Sequence, residues 1–516
     1  MNRRKVVLTA AAFALLIIGS AATAQPQMPR ITNDERPTPE QIEATPAAQR
    51  LKELLAVINS GDDKAMREFV EGFAPTPEEA KMAMGMPPLA RVRDIYRRTR
   101  GLTLIGFNYA KDEFATATVR NQLTQGLEVL TVRAETKPPH RIISIPRVPA
   151  EPLPDPKAAT ATPPPADDAA RVKEIESYVQ RLADADVFSG VVLIAREGKP
   201  IFSKAYGFAD RAKSVANTID TPFLLGSMNK LFTSLAIGQL VEQGKLRYDD
   251  PLSKFIPDFP DAESAKKIRI EHLLTHTSGL GSYFNPRFFE AIDSVRDVKS
   301  TLAVAGREAP AFEPGSSWRY SNTGFLLLGR IIEIVTGKDY YEHMAANVFR
   351  PAGMTATGFP HYDRGKRTVA LPYEAQPNGN ELLEYVDQSA ETPRRGGPAG
   401  GGASTAPDLL RLANALQAGK IVKPATYRLH AAAKPELSSP AYGYGFIRSG
   451  RVKGRDTSGH GGNAPGQCTE FNTIHDLPVP YTVIVLSNSS GNGCIPVYQK
   501  IVNTFAPVRA AAPASR

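Results

Sequence analysis

Apolar residues recur along this chain at two spacings, and the points where the spacing changes mark its organisation. Between 47 and 59, Leu51, Leu54, Leu55 and Ile58 fall on one helical face, and Gly61 stops the pattern. Further helices are predicted over 63–70 and 89–98. After Gly101 the texture becomes strand-like, over 102–107, 114–120, 127–134 and 141–146. Helices followed by a strand meander predict a small α+β module over 45–148. No catalytic set is found in it. Residues 149–169 carry Pro152, Pro154, Pro156 and Pro163-Pro164-Pro165 and read as a semi-rigid linker. The polar stretch 25–44 and the Ala/Pro-rich tail from Val508 read as disordered.

A second unit is predicted over 170–507. It opens with a helix at 172–183. Strands at 190–196 and 200–208 follow, joined by a turn at Glu197-Gly198-Lys199. Many helices intervene before strands return at 443–449, 457–461, 468–475 and 481–487. The expected arrangement is one antiparallel sheet, built from the early hairpin and the late strands, with a helical body between them. The fold class is therefore α/β in the α+β sense.

The first 24 residues change the picture of where the protein works. Arg3, Arg4 and Lys5 precede an apolar run over 6–18, and Ala22-Thr23-Ala24 offers a signal-peptidase site before Gln25. The run is short for a span of about 20 residues. A cleaved signal peptide at 1–24, no stable membrane span afterwards, and a periplasmic or secreted protein are expected. Removing Arg3, Arg4 and Lys5 from the formal charge of +9 leaves +6, which is mild. No long basic run accompanies it, so nucleic acid is not an expected partner. Cys468 and Cys494 are the two cysteines, and export favours a bridge between them. No cluster has metal-ligand spacing and no glycine loop has nucleotide-site form, so no metal and no cofactor is expected.

Three motifs carry candidate chemistry. Ser227-Met228-Asn229-Lys230 places a hydroxyl and an amine one helical turn apart, on one face. A serine needs a base to become nucleophilic, and a lysine serves only where burial or nearby positive charge favours its neutral form. Ser264-Ala265-Lys266-Lys267 has the same spacing but lies in polar sequence. Ser227 instead opens a segment apolar nearly all round, with Met228, Leu231, Phe232, Leu235, Ile237 and Leu240, closed by Gly244. Tyr320-Ser321-Asn322 follows the turn Glu313-Pro314-Gly315 and precedes a long apolar helix over 325–335. Tyr283-Phe284-Asn285 has the same form without that support, though it could line a cleft. His460-Gly461-Gly462 lies in a late strand, where the glycines let a substrate approach the backbone. Thr405-Ala406-Pro407-Asp408 reads as a helix N-cap.

Ser227-x-x-Lys230, Tyr320-x-Asn322 and His460-x-Gly462 together, in this order, resemble the serine β-lactamase and penicillin-binding protein superfamily. His276-Thr277-Ser278-Gly279-Leu280, Pro314-Gly315 and Gly400-Gly401-Gly402 before Ser404-Thr405 resemble its class C-like esterase and D-aminopeptidase branch. The resemblance covers about 171–505. It implies a β-lactamase/transpeptidase-like domain that hydrolyses an ester or amide through an acyl-Ser227 intermediate. Lys230 and Tyr320 would share proton transfer. Asn322, His460 and Gly462 would contact substrate, and the backbone N–H groups of Ser227 and Asn463 would form the oxyanion hole. Many β-lactamases carry lysine where this chain has His460, a departure that favours other acyl substrates over β-lactams. The module at 45–148 resembles, in pattern, small cone-shaped folds of the nuclear-transport-factor type. The implied partner is a small-molecule or peptide acyl substrate. Two rival readings stand: a β-lactamase or D,D-carboxypeptidase acting on peptidoglycan peptides, and a weakly catalytic binding protein whose first module recruits a partner.

Overall fold

The computed structural model describes residues 38–74, 86–146, 153, 167–305, 309–360, 369–380, 382–448, 452, 454–490 and 493–505. The expected signal peptide, the segment 25–37, all of the linker but Leu153 and 167–169, and the tail from Val508 lie outside the described residues.

The first part of the chain forms helices α1 (Pro39–Glu43), α2 (Pro46–Ser60), α3 (Asp63–Glu71) and α4 (Pro88–Thr99). Strands β1 (Leu102–Ala110), β2 (Phe114–Asn121), β3 (Leu127–Ala134) and β4 (Ile142–Ser144) follow in an antiparallel meander, in chain order. Leu51, Leu54 and Ile58 of α2 bury against Val119 and Val132 of the sheet, in an apolar cluster of their own. Gly61 ends α2 in the left-handed region at φ +64°. The disorder expected up to residue 44 stops earlier. Thr38 and Gln41 exchange side-chain and backbone hydrogen bonds in a capping box that starts α1.

The larger unit begins with α5 (Asp168–Asp184), β5 (Gly190–Arg196) and β6 (Lys199–Tyr206). Its helical body includes α6 (Asn229–Glu242), α7 (Asn322–Thr336) and α8 (Ala406–Gln417). A hairpin of β7 (Tyr373–Pro377) and β8 (Leu383–Asp387) stands apart from the main sheet. The chain closes with β9 (Ile447–Arg448), β10 (Thr457–Ala464), β11 (Gln467–Ile474), β12 (Tyr481–Ser487) and α9 (Cys494–Phe505). The six-stranded antiparallel sheet runs β9-β10-β11-β12-β5-β6, so the early hairpin joins the late strands as the sequence pattern predicts.

Strand β5 explains why this sheet is buried on both faces. Val191, Leu193 and Ala195 point into the helical body beside Leu231, Leu235 and Phe325. The alternate residues Val192 and Ile194 point the other way, onto Val179 of α5 and Val497 and Ile501 of α9. The strand expected at 443–449 shortens to β9, because the chain turns at Gly445 (φ +75°) and Gly443 N–H bonds the Phe446 carbonyl at 2.7 Å. Among the described residues no helix is long and apolar enough to cross a membrane.

Cys468 of β11 and Cys494 of α9 are bridged, with Cα atoms 5.9 Å apart. The bridge closes a loop with a sequence separation of 26, for which the chain-entropy relation gives about 3.5 kcal/mol. The double variant Cys468→Ser/Cys494→Ser is therefore expected to lose about 2–4 kcal/mol in urea unfolding. An unchanged midpoint and slope would show that the sheet and α9 hold without it.

Helix α4 also reaches the hairpin. Arg93 donates to the Asn380 carbonyl (3.0 Å) and Arg97 to the Tyr385 hydroxyl (3.1 Å). The residues that follow β8 lead directly to the wall of the cavity described next.

Candidate active site

Ser227 stands on a tight turn (Gly226–Met228) that feeds α6. Gly226 takes φ +53°, a conformation costly for other residues. Two distant segments pin the turn. Leu225 N–H donates to the Gly402 carbonyl at 2.8 Å, and Thr469 Oγ1 donates to the Leu225 carbonyl at 3.0 Å. Strand β10 passes so close that a Cβ on Gly462 would lie 1.9 Å from the Leu225 oxygen. A Cβ on Gly226 would lie 3.1 Å from the Asn463 amide nitrogen. The backbone of Asn463 is thus beside the turn that carries Ser227. Gly462 has a packing reason to be glycine in addition to any contact with substrate.

Lys230 is fully buried in α6. Its Nζ contacts Asn322 Oδ1 at 2.8 Å, the Ala399 carbonyl at 2.7 Å and Ser227 Oγ at 3.3 Å. None of these partners is a carboxylate, and burial alone drives the ammonium pKa well below the ordinary lysine range. A neutral amine has two N–H donors and one lone pair. The two short contacts are to acceptor-only oxygens and use the donors. The lone pair is left for the Ser227 hydroxyl proton.

Tyr320-Ser321-Asn322 is held from three sides. Ser321 caps α7, accepting from Gly324 N–H (2.9 Å) while donating to the Gly281 carbonyl (2.8 Å). Its own N–H donates to His276 Nδ1 at 3.0 Å. The proton of His276 is therefore on Nε2, and burial pushes that imidazole well below its usual pKa. Asn322 is fixed at both ends of its amide, since Nδ2 donates to Ser282 Oγ at 3.0 Å. The Tyr320 ring lies 4.8 Å from Lys230 Nζ and 4.3 Å from the His276 ring. Ser227, Tyr320, Asn322 and Asn463 line one cavity.

His460 is placed differently. It is 2% exposed, its Nδ1 faces the Gly461 carbonyl, and its Nε2 accepts from the Tyr442 hydroxyl at 2.9 Å. Burial pushes the Tyr442 hydroxyl well above its usual pKa, so it stays a donor. His460 is not among the residues lining the cavity that holds Ser227. The other serine-lysine pair is also elsewhere. Ser264 bonds the Asp261 carboxylate in the short helix Ala262–Lys267, while Lys267 is exposed and pairs with Glu313. Tyr283 and Phe284 do line the cavity, with Phe288 and Phe289 continuing an aromatic wall. Thr405 caps α8 through its side chain, as its motif predicts.

The sequence pattern assigned no role to His276, Ser282, Ala399, Phe288 or Phe289, whereas the cleft position it allowed Tyr283 is the one observed. The His276-to-Leu280 motif was visible, but its contact with the Ser321 amide was not.

A buried amine poised on a serine at the start of an apolar helix, over a mixed antiparallel sheet, defines the acyl-serine hydrolase class. The comparisons agree. The Beta-lactamase family matches residues 175–495, and the chain belongs to that family. It is 31% identical over 349 residues to penicillin-binding protein 4* of Bacillus subtilis, covering 61% of this chain and 71% of the relative. It is 31% identical over 215 residues to the teichoic acid D-alanine hydrolase of Staphylococcus aureus, covering 41% of this chain and only half of the relative. The crystal structure of a penicillin-binding protein from Bacillus halodurans superposes with a TM-score of 0.55 at 29% identity, over 63% of this chain and 99% of that one.

Proposed function

We propose that this protein hydrolyses an ester or amide through an acyl-Ser227 intermediate, with Lys230 as the base. The observation that carries this reading is the fully buried Lys230 amine, held by two acceptors and 3.3 Å from Ser227 Oγ. In this mechanism Nζ takes the hydroxyl proton as Oγ bonds to the substrate carbonyl carbon. The oxyanion is received by the N–H groups of Ser227 and Asn463. When the intermediate collapses, the leaving oxygen or nitrogen departs with a proton delivered by Lys230 and Tyr320. Water then reverses the sequence and frees Ser227. Asn322 holds Lys230 through Oδ1 and forms part of the substrate wall. His460 and Gly462 support the site from β10 and do not line the cavity: Gly462 packs closely under the Ser227 turn, and His460 braces Tyr442.

A hydrolysis panel of short esters, D-amino-acid amides and nitrocefin, with a fluorophosphonate probe, tests this. The adduct is expected on Ser227 and not on Ser264, and no turnover with no adduct would refute the reading. The names of relatives keep a second substrate class in view, namely D-alanine esters or peptidoglycan peptides. Turnover of D-alanyl esters or of nitrocefin well above that of simple short esters would favour it.

The division into signal peptide (1–24), small module (45–148), linker (149–169) and hydrolase domain (170–507) is part of this proposal. The separate apolar core of the module supports it. A periplasmic or secreted location follows from the signal pattern, and a mature N-terminus at Gln25 would establish it.

A further inference from the structure

Two adjacent arginines follow the β7–β8 hairpin, and they are used differently. Arg394 pairs with Asp293 at 2.6 Å. Arg395 is half-buried and lines the cavity that holds Ser227. Its guanidinium carbon lies 3.5 Å from the centroid of the Tyr341 ring, and its Nε donates to the Phe359 carbonyl at 3.4 Å. Among the described residues it has no carboxylate partner.

The support under Arg395 is rigid. The Tyr341 hydroxyl donates to the Gly396 carbonyl at 2.9 Å, and the ring packs edge-on to Phe359. A guanidinium held face-on against a ring has its plane fixed and its Nη edge left over, which is the geometry that grips a carboxylate with two parallel hydrogen bonds. Lys230 offers no competing cation, because its burial favours the neutral amine. The acidic side chain lining the same cavity is Glu391, and among the described residues no ion pair joins it to Arg395. The same cavity is lined by Tyr283, Phe284 and Phe288, which suit an apolar or aromatic group.

Building on the acyl-Ser227 reading, we propose that Arg395 determines specificity by binding a substrate carboxylate. The cavity then takes an ester or amide with an apolar or aromatic portion and an anionic group. The test uses the full chain and two chromogenic esters: 4-nitrophenyl phenylacetate, and the same ester with a carboxylate on the phenyl ring. The readout is the ratio of their kcat/KM values in the wild type, Arg395→Met, Arg395→Lys and Glu391→Gln. The ratio of anionic to neutral ester is expected to fall about tenfold or more in Arg395→Met, the size of one charge-assisted hydrogen bond. Arg395→Lys should recover part of it, and Glu391→Gln should keep or raise it. A ratio unchanged in Arg395→Met, or lowered equally by Glu391→Gln, overturns the proposal. Fluorophosphonate labelling of Ser227 in every variant keeps the two failures apart. Labelled protein with an unchanged ratio removes only the role of Arg395. Wild-type protein that neither labels nor turns over either ester removes the acyl-serine reading beneath it.

Discussion

Replacing Lys230 by methionine is expected to lower kcat/KM about 10²–10⁴-fold, the usual worth of a general base. Methionine fills a similar volume in the buried site and leaves the thioether facing Asn322 Oδ1 and the Ala399 carbonyl. Far-ultraviolet circular dichroism should stay close to wild type. The pH dependence is the sharper readout. Only the neutral amine accepts the Ser227 proton, so activity should rise with pH as Lys230 loses its own proton. Burial places that rise well below the ordinary lysine range. The rising limb should vanish in Lys230→Met. A variant retaining wild-type kcat/KM, or the same limb, would assign the base elsewhere.

The second large effect is expected from the smallest change. Gly462→Ala puts a methyl group 1.9 Å from the Leu225 carbonyl oxygen, and the next neighbours are Thr469 Oγ1 at 2.7 Å and the Leu225 carbonyl carbon at 2.8 Å. Two of those three atoms are backbone, so β10 and the Ser227 turn must separate. Overpacking of this kind costs about 1–3 kcal/mol of stability. The catalytic loss should be of comparable size, because a misplacement of about 1 Å at a nucleophile can cost about a hundredfold in rate, or about 2.7 kcal/mol. Fluorophosphonate labelling rates and urea midpoints measured on the same sample separate the two. A fall in stability with normal labelling would mean that the turn moves as a unit with the strand.

The regular elements were legible because burial imposed a period. Strand β5 alternates between two apolar clusters, and α6 is apolar all round because it is surrounded. The pairing of Ser227 with Lys230 was legible for the same reason, since the apolar helix after it excluded the polar pair at Ser264 and Lys267. The β7–β8 hairpin was not read: its residues are half-exposed and mixed in polarity, so no face dominates. Helix α9 was also missed, although Val497, Tyr498, Ile501, Val502 and Phe505 repeat at helical spacing and are all buried. The contacts that tune the site were beyond reach for a different reason. Ala399 serves through its carbonyl and Ser321 through its amide, and the backbone carries the same groups whatever the side chain. His460 shows the converse. Its place in a late strand was legible, but its burial against Tyr442, away from the cavity, depends on a partner 18 residues away in another segment.

The clamp on the Ser227 turn also fixes when the nucleophile comes into being. Thr469 and Leu225 are 244 positions apart, and the bond between them forms only once β11 has joined the sheet. A chain emerging from its N-terminal end carries Ser227 long before it carries that strand. Contacts of such long range form late, since the loop they close must be ordered first. The serine is therefore expected to gain its full reactivity only with the completed sheet, so that an unfinished molecule would have no armed centre to be acylated.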